Sequence, residues 1–412
     1  MGHPYPAPSG PGPAAAGLAA LAVGYLSGLV VLAGVSLGVD VLAPSGHRDF
    51  FDSPGRPTFA AAFANWDGKW YAGIARDGYA YHPDRMSNVA FFPAYPLLGR
   101  AVARATGLSP EVALVVVSNV CLVAALALLA DYARRRFPGE PDVPGYAVAA
   151  LALCPIGVFF RAAYTESLFV LIALLVLYGV QRRWPILLLA LLAGLATATR
   201  AAGLALALPV AAAVWERVPT ARGRAVTLAW AGPLAGWGLA AFMAYQWAAF
   251  GDPFAYSQTQ KHWAFRPPSA PGESTWAELT LRPFWEVYDP ASPAYWGGHD
   301  QYLNPPFSLQ FANPLYVLAT AAAVAAGVWR RWLNLPEAAA AAGLLVIPYL
   351  ARGHNGCMVS QARYAAAVVP VYLVCGHLLA RLRPPAAAVV LSVGGFFLGA
   401  YAALFAARYL II

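Results

Sequence analysis

The stretch PEVALVVVSNVCLVAALALLAD, residues 110–131, is followed at once by Tyr132, Ala133 and then Arg134, Arg135 and Arg136. An apolar run of this length with charge only at its ends is long enough to cross a bilayer as a helix, and arginines just past it mark a cytoplasmic end. Comparable runs recur near 14–43, 144–163, 166–181, 184–199, 201–215, 225–250, 309–329, 336–351, 359–380 and 385–408, about eleven in all. Hydrophobic residues make up 60% of the chain and charged residues 11%, and the mean hydropathy is +0.56. Such a composition excludes an ordinary soluble domain. It predicts an all-α multispanning membrane protein, a bundle of about 11 transmembrane helices. The pairs of runs flanking 164, 200 and 352 have short turns, and some of those runs are themselves short.

The arginines test the count independently. Arg134 to Arg136, Arg182 and Arg183, Arg217, Arg222 and Arg224, Arg330 and Arg331, and Arg381 and Arg383 occupy alternate connections. If every span is real, all of them lie on one side, which the positive-inside rule makes cytoplasmic. Residues 1–13, rich in Pro and Gly and without Lys or Arg, read as a disordered N-terminus, and 14–412 as a single polytopic domain. The first apolar run is too long for a signal-peptide core and lacks a basic leader, so a retained span is expected. Two long loops, 45–109 and 251–308, then face outward, the first carrying amphipathic helices, while cytoplasmic connections are short. No cytoplasmic segment suffices for a nucleotide-binding domain, and neither G-x-G-x-x-G after a strand nor a Walker-type loop occurs. The net charge of +8 reflects these topological arginines and does not imply nucleic acid. Cys121, Cys154, Cys357 and Cys375 show no C-x-x-C spacing, and no His or Cys pattern suggests a metal, so neither metal nor cofactor is expected.

Within the first outer loop, Phe63-Ala-Asn65-Trp66-Asp67-Gly68-Lys69-Trp70-Tyr71-Ala-Gly-Ile74 would, wound as one helix, place Phe63, Trp66, Trp70, Tyr71 and Ile74 on one side and Asp67 among them. A carboxylate there loses hydration unless something compensates, so its position points to chemistry. The plainer alternative is an interfacial aromatic helix with an incidental Asp. Asp77 shares that face but lies about 15 Å further along the axis. Arg200 sits between two apolar runs with no acidic neighbour in sequence. It is either functional, paired across helices, or a short-turn residue reaching lipid headgroups. Arg363 with Tyr364 has the same alternatives. Lys261 and His262 lie in a loop where plain solvation competes with a role, although Lys69 and Lys261 are the only two lysines. Glu166 opens a span where Thr165 could cap it. Asp252, in Gly251-Asp252-Pro253, reads first as a turn; Asp49 and Asp52 read as solvated loop charges.

Several ordered motifs carry a resemblance. Asn65 to Tyr71, Ile74-Ala75-Arg76-Asp77-Gly78-Tyr79 and Phe91-Phe92-Pro93-Ala94-Tyr95-Pro96-Leu97-Leu98 look like the first outer loop of PIG-V type mannosyltransferases, the class that adds the second mannose to GPI anchors, and of their bacterial relatives. Cys154-Pro155 through Phe160 and Tyr164-Thr165-Glu166-Ser167-Leu168-Phe169 resemble that family's second signature. Thr199-Arg200 with Gly203, Phe250 to Pro253, and Arg363-Tyr364 followed by Pro370 match weaker ones. The similarity runs from about residue 60 to 380.

The resemblance implies a GT-C type inverting glycosyltransferase that takes a sugar, mannose in this family, from a polyprenyl-phosphate carrier, with the essential Asp in the first outer loop. Asp67 is then the general base for an acceptor hydroxyl. The departing phosphate needs cations, for which Arg200, Lys261, His262, Arg352, His354 and Arg363 are the candidates. Trp66, Trp70, Tyr71, Asp77, Tyr164, Glu166, Asp252 and Tyr364 are assigned to acceptor binding or to shaping the site. The partners implied are membrane lipids, the lipid-phosphate sugar as co-substrate, and a glycolipid or glycan acceptor. An Ala- and Arg-rich, lysine-poor chain looks bacterial, which points to a plasma membrane with the site on its outer side. Two other classes stand beside this reading: a secondary transporter, expected to show internal symmetry and broken helices, and a non-catalytic assembly protein.

Overall fold

The computed structural model describes residues 13–42, 57–263, 270, 272–297 and 308–409. Among them are 19 α-helices, five short 3-10 turns and no strand, so the all-α, multi-pass membrane fold expected from hydropathy is what forms. Asp49 and Asp52 lie outside the described residues.

Five helices are long and apolar enough to cross a membrane: Gly17–Asp40, Pro110–Arg136, Leu309–Trp329, Leu335–Arg352 and Pro384–Ala406. Two helix pairs reach that length and apolarity only together and are bent, by 45° between Ala221–Leu234 and Trp237–Phe250 and by 73° between Gly356–Ala366 and Pro370–Ala380. Val143–Ala152, Glu166–Gln181 and Ile186–Thr197 are apolar but shorter. The run at 201–215 is not one helix: Ala201–Leu206 winds as 3-10 and Ala207–Arg217 as α. The apolar runs are therefore helical as expected, but not all are uninterrupted crossings. The interruptions within runs fall before Pro370, which opens a new helix, between Leu234 and Trp237, and at Leu206–Ala207; Arg200, between two runs, has an extended backbone (φ −166°, ψ 152°).

The first helix, Pro13–Asp40, packs along Pro384–Ala406. Glycine is required at the crossing. A Cβ on Gly34 would lie 2.4 Å from the Gly399 carbonyl oxygen, and one on Gly38 would lie 2.2 Å from that of Ala403. Close backbone approach through small residues is how helices associate where lipid removes the hydrophobic drive.

The arginine-bearing connections meet one another. Arg136 pairs with the buried Glu337 at 3.1 Å, Tyr132 donates to the same carboxylate at 2.6 Å, and Asn334 with Glu337 forms a capping box. His377 contacts Glu140 at 3.1 Å, and the Arg381 guanidinium lies over Trp332. Arg217 donates to the carbonyls of Trp184 and Val180. The segments that carry Asp67, Glu166, Arg200 and Arg363 gather elsewhere, around a single cavity.

Candidate active site

The cavity is organised by a corner in the chain. Helix Phe59–Ala62 stops, Trp66 takes a positive φ of 55°, and a new helix, Asp67–Asp77, begins at the carboxylate itself. This corrects the single aromatic-faced helix expected over 63–74. Asp67 lies in the first turn, where the helix dipole favours an anion. Burial of Asn65 explains the break: its Nδ2 donates to the Phe405 and Ala406 carbonyls at 3.0 and 3.4 Å, tying the corner to the end of Pro384–Ala406. Tyr164, fully buried, locks the corner from the other side. Its hydroxyl donates to the Asn65 carbonyl and accepts from the Asp67 backbone N–H, each at 3.2 Å.

Four charged side chains then interlock. Arg363 Nη1 donates to Asp67 Oδ2 at 2.9 Å and Arg363 Nε lies 3.2 Å from Glu166 Oε1. Arg200 Nη2 lies 2.9 Å from the same Glu166 oxygen and donates to Thr165 Oγ1. Glu166 is 1% exposed, Arg363 7% and Arg200 9%, so these are not surface pairs. Both arginines thus have acidic partners, contributed by segments remote in sequence. Glu166 serves as the bridge between them, and the Thr165 side chain makes no cap bond to the helix it precedes. Phe159 and Tyr164 flank the Arg363 guanidinium, with ring centroids at 5.1 and 5.0 Å, and Phe169 and Tyr364 flank that of Arg200 at 5.1 and 5.8 Å. Two guanidinium N–H positions of Arg200, at Nε and Nη1, are buried without a hydrogen-bond partner among the described residues. Buried donors of a cation left in this way call for an anion.

Asp67, Arg200 and Arg363 line one cavity of about 530 Å³. Tyr71, Arg352, His354 and Tyr364 line it too. The Tyr71 hydroxyl is held protonated, its pKa raised by burial first and then by the Asp67 and Glu166 charges. Its ring packs edge-on against Phe91 and Tyr95.

Other expected site residues stand outside. Trp66 is buried in the core, and Trp70 stacks on Phe91 at 6.0 Å and meets Trp263 edge-on at 5.2 Å. Asp77 ends its helix exposed, because Gly78 turns the chain away with φ 93°. Asp252 Oδ1 accepts from the Phe254 N–H at 2.8 Å, the turn expected. His262 Nε2 contacts the Pro83 carbonyl at 2.8 Å, and neither it nor Lys261 lines the cavity.

Conversely, the second long loop supplies a wall that sequence reasoning did not assign, including Tyr256, Gln260, Ser274, Thr275 and Glu278. Glu278 is 6% exposed and accepts from the His354 backbone N–H at 3.1 Å. Burial raises its carboxyl pKa. No spacing in the sequence flags it; its signal was the presence of a carboxylate in a short apolar-aromatic segment. Among the described residues no cluster of His, Cys, Asp or Glu has the makings of a metal site.

No protein-family model matches the chain, and no curated protein sequence does. Among solved structures it is similar to the apo oligosaccharyltransferase of Archaeoglobus fulgidus, at 13% identity and TM-score 0.46, over 95% of this chain and 56% of that one. It is also similar to ArnT from Cupriavidus metallidurans bound to undecaprenyl phosphate, at 14% identity and TM-score 0.47, over 90% and 62%. The same archaeal enzyme, AglB, in complex with an inhibitory peptide and a dolichol-phosphate aligns at 13% identity and TM-score 0.43, over 95% and 56%. The chain therefore spans less than two thirds of the length of each.

Proposed function

We propose that this chain is an inverting glycosyltransferase of the GT-C type that moves a sugar, mannose by the PIG-V resemblance, from a polyprenyl-phosphate carrier to a glycolipid or glycan acceptor. The observation that carries the reading is that one cavity is lined by a carboxylate, Asp67, together with the arginines Arg200 and Arg363. An acid to take a proton and a cation to take a phosphate are the two functions the reaction needs.

In the proposed step the acceptor hydroxyl oxygen attacks the anomeric carbon from the face opposite the phosphate. A C–O bond forms there as the bond from the anomeric carbon to the phosphate oxygen breaks, and its electron pair leaves with the phosphate. The hydroxyl proton passes to Asp67 Oδ1, the oxygen not engaged by Arg363. Arg200, on the cavity lining, receives the developing phosphate charge, and Arg363 holds Asp67 oriented. Arg352 adds a further cation to the cavity lining, and His354 lines it as well. Lys261 and His262, which do not line the cavity, are given no part in this proposed step. No metal is required by this assignment. The site is proposed to face the extracytoplasmic side of a bacterial plasma membrane.

The test is transfer from synthetic polyprenyl-phosphate mannose to membrane lipid extract by the purified chain, with lipid-linked glycans from a deletion strain identifying the acceptor. A chain that turns over no lipid-phosphate sugar, and whose loss changes no lipid-linked glycan, would not be the proposed transferase.

A further inference from the structure

A second arginine site lies apart from the cavity just described. Arg161 follows the 3-10 turn Gly157–Phe160 and is 8% exposed. Its Nη2 donates to the Gly24 carbonyl and to Ser27 Oγ, both at 2.6 Å, and its Nη1 donates to Asn119 Oδ1 at 3.0 Å. Asn119 returns a bond to the Arg161 carbonyl at 3.0 Å. Gly28 permits the approach, since a Cβ there would sit 3.2 Å from Nη1. Every one of these acceptors is neutral. Arg136, Arg200 and Arg363 each pair with a buried or half-buried acid, whereas no carboxylate among the described residues pairs with Arg161. Neutral dipoles orient a guanidinium but leave its charge uncompensated, and a charge so placed in a membrane protein marks a functional site by default.

Arg161 and Asn119 form the polar floor of a cavity of about 360 Å³ whose walls include Val31, Leu32, Phe63 and Val115. That volume lies in the range of small-molecule sites. Leu29, Leu32, Val116 and Val120, on the two helices that border it, are exposed, so it opens on the apolar outer surface of the bundle. A hydrated free anion has no reason to enter such walls; an anion carrying a hydrocarbon chain does. The walls also lead into the Asp67 corner. The Phe63 carbonyl accepts from the Ala163 N–H at 2.9 Å, and Tyr164, next in sequence, holds the Asp67 N–H.

We propose that this cavity binds one anionic membrane phospholipid, its phosphate neutralising Arg161 and its chain lying against Val31, Leu32 and Val115, and that the bound lipid steadies the chain segments that carry Asp67 and Glu166. The site is separate from the sugar-transfer cavity and does not depend on the function proposed for it.

The experiment uses the full chain in nanodiscs or detergent, titrated with phosphatidylglycerol against phosphatidylcholine and read by native mass spectrometry and thermal melting. One phosphatidylglycerol per chain is expected to bind in preference to phosphatidylcholine and to raise the melting temperature. Arg161→Gln should weaken that binding by roughly tenfold or more, and Arg161→Lys by less. Because Arg161→Gln also removes bonds within the fold, Val115→Phe is the second variant. It fills the cavity from a lining position one helical turn before Asn119, leaving Arg161 and the side chains bonded to it unchanged, and should abolish the preference without lowering the melting temperature of the lipid-free chain. Equal binding of the two lipids by the wild-type chain, phosphatidylglycerol binding unaffected by Val115→Phe, or occupancy by inorganic phosphate in place of lipid would each overturn the proposal.

Discussion

Arg363 touches both carboxylates of the site, so the effect of removing either acid is set by what remains on that guanidinium. In Asp67→Asn the amide keeps the size of the side chain but cannot take a proton, and the cluster gains one net positive charge. Transfer should fall by about two to four orders of magnitude. Affinity for a short-chain polyprenyl phosphate should be unchanged or tighter, because Arg363 is released from one anion. Near-normal turnover by this variant would remove Asp67 from the base role. Arg200→Ala should do the reverse, weakening polyprenyl-phosphate binding by about 1.5 to 3 kcal/mol through loss of charge-assisted bonds. Arg200→Lys should recover only part, since a point charge replaces attraction but not the guanidinium fork. Titration calorimetry on the purified variants checks both; equal donor affinity in Arg200→Ala and wild type would send the phosphate to Arg352 and His354. At this scale the sequence makes the charged residues legible more clearly than their relations. Asp67, Glu166, Arg200 and Arg363 were each legible as isolated charges in apolar surroundings. That they are partners was not, because Asp67 and Arg363 stand 296 positions apart and pair only once the bundle closes.

Elements explain why the Asp67 carboxylate is where it is. Hydrophobic periodicity over 63–74 is compatible with an unbroken helix, and only tertiary context, with Asn65 bonded to the last carbonyls of Pro384–Ala406 and Tyr164 bonded to the corner, makes the break at Trp66. Local pattern carries no trace of a partner at the far end of the chain. Asn65→Ala should therefore lower stability by about 1 to 3 kcal/mol by removing the buried bonds that tie the corner to the Phe405 and Ala406 carbonyls, measured as a lowered denaturation midpoint in detergent. The helix Glu273–Leu279 gives a pH-dependent counterpart. Burial places the folded-state pKa of Glu278 above the ordinary carboxyl value of 4.5, so the folded chain holds this proton more tightly than the unfolded one. Below that ordinary value both states are protonated and the stabilising effect is complete. As pH rises from there through the raised folded value, stability is lost. Melting curves taken across that window should show the decline in the wild type and a shallower one in Glu278→Gln; identical slopes would mean that the buried carboxyl does not titrate as its surroundings require. Composition marked this loop as long and aromatic, but which of its side chains turn inward depends on the helices it packs against, chiefly Leu335–Arg352.

Across the whole molecule the distribution of arginines predicts which end faces the cytoplasm, and the fold offers a reason beyond residue counting. Arg136 with Glu337, Arg381 over Trp332, His377 with Glu140, and Arg217 with the Val180 and Trp184 carbonyls tie successive connections into contacting layers. Connections that touch one another share an end of the bundle whatever the exact number of crossings. The bends between Ala221–Leu234 and Trp237–Phe250 and between Gly356–Ala366 and Pro370–Ala380 divide apolar runs without moving their basic flanks, so the charge pattern predicts an orientation without needing the count of eleven. Single cysteines introduced at Arg135, Arg222 and Arg331 should react with a membrane-impermeant maleimide only after cells are permeabilised. A cysteine at Ser274, on the wall of the Asp67 cavity, should react in intact cells, and polyprenyl phosphate should slow its labelling if the carrier fills that cavity. The wild-type chain sets the background for Cys121, Cys154, Cys357 and Cys375. Labelling of Arg135→Cys from outside intact cells would invert the molecule. The proposed transferase would then draw its donor from the cytoplasmic leaflet, a result that changes the substrate's location while leaving the chemistry of Asp67 and Arg200 to be judged by their own variants.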